Sequence, residues 1–187
     1  MLVTEIYRLI LINLNQNAAT SVAHGSSWTV HVRPAHYART PMANDEMFTP
    51  QWIFDDLGLV FDLDVASSHN LYVVVPTKKR FTIDDDALTQ DWDGLVWMNP
   101  PFSGVTPWVE KWLNHKNGFC LVPLSSNGRW VNTLWESDAE LVYLPANMKF
   151  IGGQDGKMVA HRWRCALWAI GDEAIQALRN SGIGKVR

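Results

Sequence analysis

The apolar run Leu95-Val96-Trp97-Met98 ends abruptly in Asn99-Pro100-Pro101-Phe102, and no other feature of the chain restricts its fold so tightly. Four apolar residues bounded by turn signals read as a strand buried on both faces. Two successive prolines cannot donate to a ladder or continue a central strand, so the chain must leave the sheet here in a stiff, extended loop. A stiff loop holds its carbonyls in fixed directions. Asn99 offers a side-chain amide oxygen, Pro100 a backbone carbonyl and Phe102 an aromatic face. Together they suffice to accept two hydrogen bonds from a planar amino group and to stack on the ring that bears it. An ordinary strand exit with a buried phenylalanine would look the same from these four residues alone, so the neighbouring segments decide.

Upstream, Phe48 to Gly58 has Thr49 at an N-cap position, Pro50 at the first helical position and Gly58 where a short helix should stop. Leu59 to Ser68 follows as an apolar strand ending in Asp64-Val65-Ala66-Ser67-Ser68. Then come the acids Asp84-Asp85-Asp86 before Ala87-Leu88, and a turn through Asp91-Trp92-Asp93-Gly94 into the strand that carries Asn99.

This order, a Thr-Pro helix, a strand ending Leu-Asp-Val-Ala-Ser, an Asp-Ala-Leu and an Asn-Pro-Pro-Phe, resembles the S-adenosylmethionine-dependent amino-methyltransferases. More narrowly, it resembles the small phage-type DNA N-6-adenine-methyltransferases, over roughly residues 45–170. Asn-Pro-Pro-aromatic alone is shared with enzymes that methylate protein glutamine or RNA bases. The resemblance implies an α/β fold with a doubly wound, mainly parallel sheet, a trimmed Rossmann-like methyltransferase. It implies S-adenosylmethionine as cofactor and methylation of the exocyclic amine of adenine in double-stranded DNA. Asn99, Pro100, Pro101 and Phe102 would act on the target base, with Phe102 stacking on an extruded adenine. Thr49, Pro50, Asp64 and Ala66 would line the pocket for the methionine end, and Asp86, or its neighbours Asp84 and Asp85, would meet the cofactor's adenine. Two departures stand out: the segment after Asp64 lacks the usual glycine turn, and only 35 positions separate Asp64 from Asn99. The second leaves a short irregular segment over Ser67 to Arg80 in place of a full strand-helix unit.

After the motif, Thr106-Pro107 opens a helix with an apolar face of Trp108, Val109, Trp112 and Leu113, closed by Gly118. A strand over Phe119 to Pro123, a helix with Trp130, Val131, Leu134 and Trp135, and strands over Leu141 to Leu144 and Trp163 to Ile170 follow. Asp172 is expected to cap a last helix. Helical spacing assigns Trp108, Trp112, Trp130 and Trp135 to packing, and Trp97, on the strand leading into Asn99, is expected to pack beneath the site.

A chain of 187 residues, 47% hydrophobic, builds one core. We expect a single domain over 45–187 preceded by a partly irregular extension over 1–44. The net charge of -3 disfavours a dedicated nucleic-acid scaffold, so DNA would meet a local basic face, with Lys78, Lys79, Arg80 and Arg129 as candidates and Lys149 and Arg162 as alternatives. Cys120 and Cys165 sit in apolar runs and read as buried free thiols of a reducing, cytoplasmic compartment. The run Ile6 to Leu14 is too short and too charged for a membrane span, and the spacing of His24, His31 and His36 does not suggest a metal. An RNA or protein-amide methyltransferase, or a non-catalytic nucleic-acid-binding relative, stays open at this point.

Overall fold

The computed structural model describes residues 46–124 and 129–187. The expected extension over 1–44, with its three histidines and its apolar run, lies outside the described residues. Within them the chain is mixed α/β. The strands are β1 (Met47–Phe48), β2 (Phe61–Asp64), β3 (Thr77–Arg80), β4 (Val96–Met98), β5 (Gly118–Pro123), β6 (Glu140–Tyr143), β7 (Lys149–Gly152), β8 (Met158–Ala160) and β9 (Cys165–Ile170). The helices are α1 (Gln51–Leu57), α2 (Val105–His115), α3 (Arg129–Trp135) and α4 (Asp172–Asn180). No described helix is long and apolar enough to cross a membrane.

Six strands form one sheet in the order β3-β2-β4-β5-β9-β6. The first four are mutually parallel, and β9 runs antiparallel to both β5 and β6. All residues of β4, β5 and β9 are buried, as their continuous apolar runs require of strands covered on both faces. On one face Val96, Met98, Cys120 and Val122 pack with Val109 and Trp112 of α2 and Leu134 of α3. On the other, Trp97, Phe119 and Leu121 pack with Ile53 and Phe54 of α1 and Leu178 of α4. Trp97 lies edge-on to Phe54 at 4.8 Å and tilted against Phe61 at 5.3 Å, so the strand leading to Asn99 rests on an aromatic bed, as expected. Both cysteines are free and buried.

Several boundaries differ from the sequence reading, each for a local reason. Helix α1 has Pro50, not Thr49, at its N-cap, while Gly58 closes it in the left-handed region at φ 64°. Helix α2 ends at Lys116, itself left-handed, and Gly118 instead opens β5. Gly171 rather than Asp172 precedes α4, leaving Asp172 and Glu173 in the first turn, where the helix dipole favours them. Trp135 is 53% exposed, meeting Trp168 only edge-on, and Trp163 is 47% exposed, outside β9. Lys78, Lys79 and Arg80 belong to edge strand β3, so the irregular segment is shorter than expected.

Gly118 has φ 141°, and a Cβ there would run into the Val96 carbonyl oxygen of the adjacent strand. Gly118→Ala therefore strains the β4–β5 pair at its root, and we expect a loss of about 3 kcal/mol or more in denaturant unfolding. An unchanged midpoint would contradict this account of the β4–β5 contact.

Candidate functional site

Parallel pairing sets Asp64 opposite Trp97 at the carboxyl ends of β2 and β4, and the Val65 N–H donates to the Trp97 carbonyl at 3.0 Å. Asp64 and Asn99 thus emerge side by side from the same sheet edge. The double proline turns the chain immediately into a short 3-10 helix over Phe102–Gly104, whose Gly104 N–H donates to the Pro101 carbonyl at 3.1 Å. The Pro101 carbonyl is thereby occupied. The Pro100 carbonyl accepts no backbone hydrogen bond from a described residue.

Asn99 Nδ2 donates to the Met47 carbonyl at 2.9 Å. A carbonyl can only accept, so this contact fixes which end of the amide is nitrogen and leaves Oδ1 an acceptor with no donor among the described residues. Met47 is held in turn by β1, which pairs antiparallel with β7, while β7 pairs with β8. This second, three-stranded sheet escaped the sequence reading. Its signal was present, however: the apolar Phe150-Ile151 precedes a Gly152-Gly153-Gln154-Asp155-Gly156 turn, and Gly156 takes φ 69°.

Between the motif loop and this sheet lies an open cavity of about 640 Å³, with Asn99, Pro100 and Phe102 on one wall and Gly152, His161 and Arg162 on the other. Phe102 stands edge-on to His161 at 5.1 Å and to Phe150 at 6.0 Å, which locks its ring without covering it completely. The Asn70 amide donates to the Gly153 carbonyl at 2.7 Å, tying the irregular segment after β2 to the cavity's far wall.

A second, narrow cleft of about 20 Å³ adjoins the motif and is lined by Thr49, Asp64, Ala66, Ser67, Trp97 and Asn99, among others. Here Thr49 Oγ1 and Ser67 Oγ are buried without a hydrogen-bond partner among the described residues. Buried hydroxyls are rarely left unpaired, so this orphaned pair suits a polar ligand group. Asp64 is 2% exposed, and burial pushes its carboxyl up to about 6. The Ser67 hydroxyl, close by but outside hydrogen-bond geometry, the Ala66 N–H at 3.3 Å and the more distant Arg80 oppose that rise without cancelling it. At about 20 Å³ the cleft itself holds little more than one water molecule, while its hydroxyls and buried carboxyl form a polar set at the edge of the motif. Asn99 lines both hollows.

The remaining candidates lie apart from these hollows. Pro50 is buried at the start of α1. Of the three acids, Asp84 pairs with His69 at 2.8 Å, and Asp85 caps the 3-10 helix Ile83–Asp85 by accepting from the Thr82 N–H at 2.7 Å. The exposed Asp86 carboxylate accepts no hydrogen bond from a described residue and lines neither hollow. Lys78 pairs with Asp62 at 2.8 Å, Lys79 sits over the Phe81 ring at 4.6 Å, and Arg80 and Arg129 are exposed. No group of three or more metal-ligating side chains occurs among the described residues.

A family model described as DNA N-6-adenine-methyltransferase (Dam) matches residues 38–181, which span the large sheet, the motif loop and the small sheet. No curated protein and no solved structure matches the chain.

Proposed function

The chain belongs to the DNA N-6-adenine-methyltransferase (Dam) family, and from that premise we propose that it transfers a methyl group from S-adenosylmethionine to the exocyclic amine of adenine in double-stranded DNA. The observation that carries this reading is the fixed Asn99 amide: Nδ2 is engaged by Met47, and Oδ1, with no donor among the described residues, lies beside a cavity of about 640 Å³. An adenine amine is a poor nucleophile because its lone pair is delocalised into the ring. Asn99 Oδ1 and the Pro100 carbonyl accept its two hydrogens, favour a pyramidal nitrogen and so free the lone pair for attack. Phe102 supports the face of the extruded base, and Pro101 keeps the loop rigid. Positioning and fixed dipoles carry the rate.

When bound, S-adenosylmethionine supplies an electrophilic sulfonium methyl group. Thr49, Asp64, Ala66 and Ser67 would hold its amino-acid end, with Pro50 setting the start of α1 beneath Thr49. Asp86 is the acid of its trio free to meet an adenine amino group. The doubly wound, Rossmann-like arrangement belongs to the same reading, supported by helices packed on both sheet faces and by a site at the strands' carboxyl edge.

Incubation with a methyl-labelled cofactor and, separately, duplex DNA, RNA or cell-lysate protein tests this directly. Label should enter DNA; label entering only RNA or protein would replace the substrate assignment.

For the basic triplet, strand geometry limits what can touch one duplex. Successive side chains of β3 point to opposite faces, so Lys79 faces away from Lys78 and Arg80. Neutralising all three should flatten the slope of log affinity against log salt by about 1.8 at most, short of the roughly 2.7 that three simultaneous phosphate contacts would give. A loss near the larger value would make the triplet a single phosphate-binding face.

A further inference from the structure

Between β8 and β9 the chain passes through His161-Arg162-Trp163-Arg164, and the last three of these are exposed. Trp163 is 47% exposed, with the Arg162 guanidinium lying over its ring at 5.0 Å. Arg162 also lines the large cavity, so the indole, itself outside the lining, is tied through Arg162 to the space proposed for the extruded base. No carboxylate of a described residue pairs with Arg162 or Arg164. Asp155, the nearest acid of the same wall in sequence, is neutralised by Lys157 at 2.7 Å, which leaves Glu46 as the unpaired acid of the lining.

Exposed Trp135 provides the contrast. It lies at the end of α3, close in sequence to the exposed acids Glu136 and Asp138, and its ring meets Trp168 edge-on at 5.4 Å. An aromatic ring flanked in sequence by two arginines that pair with no carboxylate of a described residue is suited to nucleic acid, where bases stack on the ring and phosphates meet the guanidinium groups. A ring among acids is not.

We propose that Trp163 is a DNA-stacking residue that enters the duplex beside the target and fills the gap left by the extruded adenine, with Arg162 and Arg164 gripping the flanking phosphates. This rests on the proposed DNA substrate and adds the residue that makes extrusion from a paired duplex favourable. A base removed from a stack leaves two neighbouring faces without contact, and an indole restores part of that stacking. Single-stranded DNA has no such gap to fill, so the contribution of Trp163 is specific to the duplex.

The test compares full-length wild type with Trp163→Ala, Trp163→Phe and Trp135→Ala, on the same genomic DNA either native or heat-denatured. Trp163→Ala should lower both methyl transfer to native DNA and duplex affinity by roughly tenfold, the scale of one lost stacking contact. Transfer to denatured DNA should stay within about twofold of wild type, since an unpaired base leaves no gap in a duplex stack for the indole to fill. Trp163→Phe should recover most of the loss, and Trp135→Ala should behave as wild type. Neutralising both arginines should reduce the salt slope of duplex binding by about 1.8. An equal loss on both DNA forms, or no loss on native DNA, would overturn the proposal. If wild type bound duplex but transferred no methyl group, the activity assignment would fail while the affinity comparison still decided the role of Trp163. If wild type bound no duplex at all, both would fall.

Discussion

Replacing Asn99 by Ala lowers methyl transfer by at least about 100-fold, the usual cost of removing one fixed group that acts on the reacting centre. Two losses are combined in that variant and must be separated. The side chain contributes Oδ1 to the substrate and Nδ2 to the Met47 carbonyl, and the second contact is worth about 1 kcal/mol of local stability. Asn99→Asp separates them, because a carboxylate keeps an acceptor for the amine but cannot donate to Met47. Activity should therefore fall in the order Asn, Asp, Ala, while the Asp variant, whose carboxylate would face the Met47 carbonyl, loses at least as much stability as the Ala variant. Retention of more than a tenth of wild-type turnover by Asn99→Ala would remove the residue from the reaction. Activity tracking melting temperature across the three would reduce it to an anchor for β1.

Asp64→Asn is expected to act in opposite directions on stability and on cofactor binding. Burial raises the Asp64 carboxyl from 3.8 to about 6, so the folded protein prefers it protonated. The stability this group contributes is fully present below pH 4 and is lost as pH rises to about 6. At pH 7 wild type therefore carries the cost of a buried charge, and the amide variant should be more stable there by up to 2–3 kcal/mol, on the order of 1.36 kcal/mol for each pH unit that separates the folded from the unfolded carboxyl. Parallel stability profiles between pH 3 and 8 for the two proteins would show that Asp64 does not titrate on unfolding. Cofactor affinity should fall by tenfold or more in the variant, because a cationic ligand group then loses its buried counter-charge. Wild-type affinity should rise with pH through about 6. A carboxylate retained in the cleft despite its cost to stability is what a binding role requires.

The parts of this architecture visible in the sequence were those whose signal is local and apolar. The runs that became β4, β5 and β9 are buried on both faces, and the double proline marks where the chain leaves the sheet. The neighbourhood of Asn99 depended on residues far away in sequence. Met47, 52 positions upstream, orients the amide, and the hairpin of β7 and β8 supplies the opposite wall of the cavity. Short two- to four-residue strands carry too few alternations to register as periodic. Helix ends were displaced by one or two residues wherever backbone geometry outweighed side-chain capping, as at Pro50, Lys116 and Gly171. Trp135 and Trp163 were misplaced for a related reason. Helical or strand spacing does not distinguish a buried indole from one at the edge of an element, and only the neighbouring charges separate the two.

Identification of the methylated product tests the central claim most directly. Duplex DNA treated with the protein and S-adenosylmethionine carrying an isotopic methyl group would be digested to nucleosides and resolved by mass. Label on the N6 atom of deoxyadenosine, lost with Asn99→Ala, is the result expected. Label confined to cytosine or to another polymer, or no transfer by a protein shown to bind the cofactor, would contradict the account.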